Sequence, residues 1–194
     1  QKQGQKYSIG PTIENTQLYL CPYVNTETNT QVKILFDPLL DSNNPGEINQ
    51  NLEINSYDIN RLIVESTITL LSNDANLEIE LTRDLSTTDF SLEDRQNKIT
   101  EYQPNITIII NATSNSEDNG AKIYYSLKGD ESIKTLKLAC LIANNLKENI
   151  NINSILIPMD NAFQADTFSL FNFNPQQTLL IDISNINNEN NIFQ

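Results

Sequence analysis

The stretch Ile106-Thr107-Ile108-Ile109-Ile110 decides the fold, because it is almost uniformly β-branched and apolar. β-branched residues favour strands, and unbroken apolarity is typical of a strand that is covered on both faces. Residues 32–36 (VKILF) and residues 178–183 (TLLIDI) have the same character. These runs predict buried strands at the centre of a layered sheet.

Segments with helical periodicity lie between the apolar runs. The first helix is predicted over residues 56–71, with Ser56 or Asp58 as its N-terminal cap. Its predicted apolar face consists of Ile59, Leu62, Ile63, Ser66 and Leu70. Ser91 and Asp94 form a loose capping box for a second helix, which must end before Pro104.

A third helix is predicted over residues 132–147, and two more strands over residues 77–81 and 121–127. The alternation of strands and helices predicts an α/β fold with a single domain. Its sheet is expected to be mixed and mostly parallel, with about six strands and helices on both faces.

The domain is predicted to span residues 31–186. Residues 1–30 are polar and turn-rich and are interpreted as an N-terminal extension, in which residues 17–20 (QLYL) are a candidate edge strand. Residues 187–194 are rich in asparagine and are predicted to form a flexible tail.

Charge and composition exclude several classes of function. The formal net charge is −13, from 25 acidic and 12 basic residues, and this field repels the phosphates of nucleic acids. We therefore predict no nucleic-acid partner. No stretch approaches the ~18–20 apolar residues of a membrane span, so no transmembrane segment is predicted, while an anchor upstream of residue 1 stays open. The chain has no histidine, which excludes a histidine-dependent metalloenzyme.

The chain has two cysteines, Cys21 and Cys140. There is no Cys-x-x-Cys motif and no Cys/His cluster, which excludes a structural zinc site. Cys140 lies in the predicted third helix, so a buried free thiol is expected there. A disulfide with Cys21, formed in an oxidising compartment, is the alternative.

Several short motifs occur in the order that they have in one enzyme family. They are Asp37-Pro38 at the first strand end, Asp58-Ile59-Asn60-Arg61-Leu62-Ile63 at the first helix, Leu81-Thr82-Arg83-Asp84, Leu92 with Arg95, Gly120-Ala121-Lys122-Ile123-Tyr124-Tyr125, and residues 132–142. In this order and spacing the chain resembles the zinc-dependent N-acetylmuramoyl-L-alanine amidases of the bacterial cell wall, the amidase-3 family. The resemblance covers about residues 31–186 and implies an amidase-like α/β fold.

The chemistry of that family requires a histidine, a glutamate and a second histidine as zinc ligands, and a further glutamate as general base. The resemblance places these ligands at Leu40, Ser56 and Ile110, with the register at Ser56 and Ile110 open by a residue or more. It places the base at Asp182, a carboxylate that is one methylene shorter. The resemblance therefore implies vestigial positions without zinc and without a catalytic residue.

A calcium site is a separate possibility. Asp37, Asp41, Glu47 and Asp182 are candidates to gather around a hard cation such as calcium. However, the loop over residues 41–46 has proline at its fifth position, and no acid stands at its twelfth. No cofactor is therefore predicted.

The ligand positions are expected at the carboxyl ends of strands, where open α/β sheets bind their ligands. Either Leu40 and Ile110 fill the former metal cavity with apolar packing, or the remodelled cleft binds a glycan, a peptide or a protein. Which residues line a binding site stays open.

The resemblance implies a catalytically inactive amidase-like domain, a binding, scaffolding or regulatory module at the bacterial cell envelope. Its expected partner is an envelope protein or peptidoglycan, its expected role is in cell-wall remodelling or sporulation, and its expected location is extracytoplasmic. The alternatives are a peptidoglycan hydrolase with a rebuilt, histidine-free site and a structural or adhesive surface module.

Overall fold

A computed structural model of the protein describes residues 7–9, 20–22, 31–85, 91–113, 120–126, 132–159, 170, 177–183 and 186. The predicted tail over residues 187–194 lies outside the described residues, and so does most of the predicted extension over residues 1–30. Within that extension, two three-residue strands pair antiparallel.

The elements follow one another as in other layered α/β proteins. In chain order they are β1 (Tyr7–Ile9), β2 (Leu20–Pro22), β3 (Val32–Pro38), β4 (Ile48–Asn49), β5 (Ile54–Asn55), α1 (Ser56–Leu71), β6 (Leu77–Leu81), α2 (Leu92–Tyr102), β7 (Ile106–Ala112), β8 (Ala121–Ser126), α3 (Ser132–Ile150), β9 (Ser154–Met159) and β10 (Thr178–Ile183).

The main sheet has six strands in the order β6-β3-β7-β10-β8-β9. Strands β6, β3, β7 and β10 run parallel, β10 pairs antiparallel with β8, and β8 pairs parallel with β9. The sheet is therefore mixed and mostly parallel, as predicted. The isoleucine-rich strand β7 lies inside the parallel block, between β3 and β10, which explains its continuous apolarity.

Helices cover both faces of this sheet, also as predicted. Helix α1 packs on β3 and β7, and α3 packs on β8, β9 and β10. Val64 of α1 lies in one apolar cluster with Phe36 and Ile110. On the opposite face, Ile99 and Tyr102 of α2 pack with core residues that include Ile109.

Helix α2 begins and ends as its sequence predicts. Ser91 and Asp94 form a capping box, in which the Asp94 amide donates to Ser91 Oγ over 3.1 Å. The helix ends at Tyr102, before Pro104.

Helix α1 has the predicted bounds, but its cap and its buried face differ from the prediction. The cap is Asn55, whose Oδ1 accepts from the Asp58 amide over 2.9 Å, rather than Ser56 or Asp58. The predicted core residues Leu62 and Leu70 are 51% and 80% exposed. The buried side chains of the helix are Ser56, Tyr57, Ile59, Asn60 and Val64. Because Ser56 and Asn60 are polar, a pattern built on hydrophobicity assigned them to the solvent and shifted the face.

The expectation of a buried free thiol at Cys140 is wrong. Cys140 is 1% exposed, and its sulfur is in a disulfide. The only other cysteine of the chain is Cys21. Helical periodicity placed Cys140 correctly inside the core but carried no information on β2, the strand of the extension that packs against α3.

Candidate functional site

A buried ion pair supports the turn that follows β3. Asp37 is fully buried, accepts from Thr82 Oγ1 over 2.6 Å and from Arg95 Nε over 3.0 Å, and forms a salt bridge with Arg95 Nη2. A buried carboxylate needs such partners, because desolvation without them is very unfavourable. Thr82 and Arg95 belong to motifs that carry the resemblance, and the structure gives them this supporting role.

Three consecutive backbone carbonyls of the same turn are also held by side chains. Arg83 Nη2 donates to the carbonyl oxygens of Pro38, over 2.8 Å, and of Leu40. Asn60 Nδ2 donates to that of Leu39 over 2.7 Å. Burial lowers the pKa of Arg83, which the nearby Asp37 carboxylate counteracts. Side chains from α1 and from the segment after β6 therefore hold the turn that contains Leu40.

Leu40 and Ser56 come together in the structure, and Gly46 lies between them. A Cβ atom added to Gly46 would lie 2.5 Å from Leu40 Cδ1 and 3.0 Å from Ser56 Cβ, closer than van der Waals contact allows. Ser56 is 1% exposed. Two of the three predicted ligand positions thus lie near each other, beside a glycine where the packing leaves no room for a side chain.

Ile110 does not join Leu40 and Ser56 with its side chain. Ile110 is 4% exposed and packs with Ile34, Phe36 and Val64 on the α1 face of the sheet. Successive side chains of a strand point to opposite faces, so Asn111, one residue later, points to the other face. Leu40 packs on that same side, against the cluster that contains Ile109 and Leu180.

Asp182 forms the polar centre of the site. Asp182 pairs in register with Asn111 at the carboxyl ends of β10 and β7. Its Oδ1 accepts from Asn111 Nδ2 over 3.2 Å and from Thr113 Oγ1 over 3.4 Å. Burial raises the pKa of Asp182, whereas Lys122 and the two hydrogen bonds lower it, and Glu47 adds to the rise. The resulting group is a desolvated acid that hydrogen-bonding neighbours orient.

The four acids considered for calcium do not form a cation site in the described part of the chain. Asp37 is bound to Thr82 and Arg95. Asp41 Oδ1 accepts from the amides of Asn43 and Asn44 in its own loop. Among the residues that the structure describes, no three His, Cys, Asp or Glu side chains are placed to share a metal ion.

A zinc ion does not fit the residues at the resemblance's ligand positions. Zinc sites use imidazole, thiolate and carboxylate ligands, and Leu40, Ser56 and either Ile110 or Asn111 supply none of these.

A polar cavity of about 430 Å³ lies between the end of β6 and α2, away from Asp182. It is lined by Leu81, Thr82, Arg83, Asp84, Asp94, Asn97, Lys98 and Glu101. Three of its polar groups already have structural partners, since Arg83 binds the turn, Asp94 caps α2, and Lys98 pairs with Glu80. We therefore assign the candidate site to the Asp182 cluster.

Sequence reasoning proposed Leu40, Ser56, Ile110 and Asp182 as site positions, and did not propose Asn111, Thr113 or Gly46. The two-residue period of β7 supplies a signal for Asn111, because Asn111 follows the apolar run at the strand end. Gly46 has no such signal, since only the folded loop brings it to Leu40 and Ser56. Its φ of +73° suits glycine.

Fold and site define a class of protein, the open α/β domains whose polar site lies at the carboxyl ends of parallel strands. Residues 34–192 match the family model described as N-acetylmuramoyl-L-alanine amidase, Amidase_3. The match covers well over half of the chain, and the chain therefore belongs to this family.

Solved structures of amidases have the same fold. The chain is similar to the catalytic domain of CwlV, an N-acetylmuramoyl-L-alanine amidase from Bacillus (Paenibacillus) polymyxa var. colistinus, with 18% identity, a TM-score of 0.65, and coverage of 84% of this chain and 88% of that one. It is also similar to the CwlD amidase from Clostridioides difficile, solved in complex with the GerS lipoprotein, with 20% identity, a TM-score of 0.65, and coverage of 79% and 82%.

A third similar structure is an N-acetylmuramoyl-L-alanine amidase from Clostridium difficile 630, with 18% identity, a TM-score of 0.62, and coverage of 79% of each chain. Comparison with curated protein sequences gives no match. None of the helices described in the structure is long and apolar enough to cross a membrane.

Proposed function

We propose that this chain is a non-catalytic member of the amidase family, a binding, scaffolding or regulatory module at the bacterial cell envelope. The residues at positions 40 and 56 carry the proposal, because the resemblance assigns these two positions to zinc ligands and neither leucine nor serine is one. In zinc amidase chemistry the metal prepares the attacking water. Without that metal, Asp182 has no activated water to deprotonate.

Two observations support a place outside the cytoplasm. Members of the family are N-acetylmuramoyl-L-alanine amidases, whose substrate is cell-wall peptidoglycan. Cys140 is in a disulfide, and stable disulfides form mainly in oxidising compartments. Together these favour a role at or beyond the cell envelope.

The expected partner is peptidoglycan or an envelope protein. CwlD, which shares the fold of this chain, was solved in complex with the GerS lipoprotein. This complex supports the idea that an amidase-like domain works through a protein partner. A role in cell-wall remodelling or in sporulation fits either partner.

An assay on purified peptidoglycan tests the absence of catalysis. We expect no release of stem peptide, measured as new amino termini, with or without added zinc, while an active amidase run in parallel releases it. Release that Asp182→Ala abolishes would overturn the proposal.

A sedimentation assay with insoluble peptidoglycan tests binding. We expect wild type to sediment with the polymer and Asp182→Ala to sediment less, if the Asp182 cluster forms part of the binding site. The matched control is Glu148→Ala, which removes an acid from the exposed end of α3. If wild type stayed in the supernatant, peptidoglycan would be excluded as the partner, and an envelope protein would remain.

A hydrolase with a rebuilt, histidine-free site is the second candidate. The observation in its favour is the Asp182 carboxylate, held by Asn111 and Thr113 and raised in pKa by burial. A desolvated acid with a raised pKa is typical of general acid–base catalysts. The peptidoglycan assay separates this candidate from the non-catalytic one.

A further inference from the structure

The polar cavity between the end of β6 and α2, about 430 Å³ in volume, has the size of a ligand pocket. Residues 81–84 form one wall. The other wall is a single face of α2, because Asp94, Asn97, Lys98 and Glu101 follow one another at intervals of three or four residues. None of the lining residues belongs to the cluster at the ends of β7 and β10, so the cavity is a separate site.

Arg83 brings a buried positive charge to this cavity. It is 5% exposed, and its Nη2 donates to the carbonyl oxygens of Pro38 and Leu40, which carry no charge. Among the residues that the structure describes, no acid forms a salt bridge with it. Burial lowers the pKa of Arg83, and Asp37, the acid that counteracts this most, is already paired with Arg95. Two guanidinium groups thus share one buried carboxylate, and the surplus positive charge favours an anionic ligand.

The end of β6 adds unpaired backbone groups. Strand β6 is an edge strand of the six-stranded sheet. The Thr82 amide donates to the Phe36 carbonyl of β3 over 2.9 Å, and successive residues of a strand direct their backbone groups to opposite edges. The N–H and C=O groups of Ile79 and Leu81 therefore point away from β3, and no residue in the described part of the chain hydrogen-bonds to them. Such a row is a template to which an extended chain adds as a further strand.

The α2 wall of the cavity is mostly acidic. Asp94 and Glu101 face the cavity with one base, Lys98, and that base forms a salt bridge with Glu80. Glu101 is exposed, and the whole chain has a net charge of −13. This wall therefore favours a positively charged group on the ligand.

We propose that the cavity and the outer edge of β6 bind the carboxyl-terminal tail of a partner protein. The terminal carboxylate lies on Arg83, the last residues of the tail add to β6 as a parallel strand, and a basic side chain of the tail faces Glu101. The outward backbone groups continue from Leu81 to Ile79, beyond the cavity, and this length fits a protein tail better than a free amino acid. The site goes beyond the proposed function, because it uses neither Asp182 nor the absence of catalysis.

A synthetic tail tests the role of the carboxylate. The probe is the acetylated hexapeptide Thr-Val-Thr-Lys-Lys-Val, in which one of the two adjacent lysines faces α2 in either register, since side chains of a strand alternate. Calorimetry with the full chain compares this peptide with the same peptide carrying a carboxyl-terminal amide. We expect a Kd of about 0.1–1 mM for the acid and at least about tenfold weaker binding of the amide, which cannot form the charged pair with Arg83. Arg83 itself is kept, because it also holds the turn after β3.

Two outcomes of this comparison contradict the proposal. Equal affinities of acid and amide would show that no carboxylate is recognised. A lack of binding of the acid at about 5 mM would show that the tail has no site on this chain.

Glu101→Gln tests the α2 wall. We expect it to weaken binding of the acid peptide by about three- to tenfold, because the basic side chain loses its partner. The matched control is Glu93→Gln, which removes an exposed acid of α2 that does not line the cavity, and it should leave the affinity within about twofold of wild type. An equal loss in both variants would mean that only the net charge of the chain attracts the peptide, and would overturn the placement in the cavity.

Amide hydrogen exchange tests the pairing with β6. At saturating peptide the Leu81 amide should exchange at least about tenfold more slowly, because it gains a backbone acceptor. The Thr82 amide, which already donates to Phe36, should change little. If the peptide bound without slowing exchange at Leu81, it would lie elsewhere on the protein, and the proposal would be wrong.

Discussion

Asp182 illustrates how a single acid is set by its surroundings. The carboxyl is partly buried at the ends of β7 and β10, and this burial raises its pKa. Hydrogen bonds from Asn111 and Thr113, together with Lys122, favour the ionised form but do not cancel the rise. The folded protein therefore holds the Asp182 proton more tightly than the unfolded chain does.

The shift has a direct consequence for stability against pH. An aspartate whose pKa is raised in the folded protein destabilises the fold only when it is ionised. This loss of stability is absent below the pKa of the unfolded chain, about 3.9, and complete above the pKa of the folded protein. Asp182→Asn removes the charge. We expect Asp182→Asn to have a higher Tm than wild type at pH 7, and this advantage to disappear as the pH falls towards about 3.5.

Thermal unfolding of both proteins between about pH 3.5 and pH 7.5 measures the effect. Glu148→Gln is the control, because it removes one negative charge from an exposed position of a chain with net charge −13. A Tm difference for Asp182→Asn that is the same at every pH would contradict the raised pKa.

Individual residues differ in how far the sequence could place them. The motifs around Asp37, Thr82, Arg83 and Arg95 could be recognised in the sequence. Their side chains all hold the turn after β3, and this shared role keeps the motifs in the same order along the chain. The face of residue 110 was not, since a shift of one residue along β7 exchanges the two faces of the sheet. In the structure, Ile110 faces α1 and Asn111 faces Asp182. Only the pairing of β7 with β10 decides which of the two residues lies on which face.

At the scale of elements, the sequence predicted existence and order better than orientation. The described strands β3, β6, β7, β8 and β10 and the three helices were all predicted. Strand β9 was not, because Pro158 interrupts its pattern; proline is accepted here since β9 is an edge strand. The face of α1 was predicted only in part: Ile59 and Ile63 pack in the core as predicted, but the inner side also carries Ser56 and Asn60.

The orientation of α1 leads to a prediction. Val64 is fully buried against β3 and β7, whereas Leu70 is 80% exposed. Val64→Ala should lower the free energy of unfolding by about 2 kcal/mol, from lost burial and the cavity left behind. Leu70→Ala should change it by less than about 0.5 kcal/mol. Urea unfolding of both variants checks this. If Leu70→Ala lowered the free energy of unfolding more than Val64→Ala, the buried face of α1 would be the one that hydrophobicity alone predicts.

At the scale of the whole molecule, the disulfide at Cys140 links the extension to the domain. Strand β2 packs against α3, the helix that carries Cys140. The only other cysteine is Cys21, so an intramolecular bond closes most of the chain into a loop. Sequence alone left this pairing open, since two cysteines far apart in the chain reveal nothing about their distance in the fold.

The disulfide should contribute measurably to stability. A bond that closes a long loop restricts the unfolded chain and typically stabilises a fold by about 2–4 kcal/mol. We expect a reductant to lower the Tm of wild type by roughly 5–15 °C, since about 1 kcal/mol corresponds to 2–4 °C at this chain length. Cys140→Ser should show the lower Tm with or without reductant. A Tm of wild type that does not respond to reductant, under conditions where thiol titration finds both cysteines reduced, would mean that the extension packs on α3 without help from the bond.

The same titration of protein purified from the envelope without reductant tests the location, because a reduced pair would contradict an oxidising compartment.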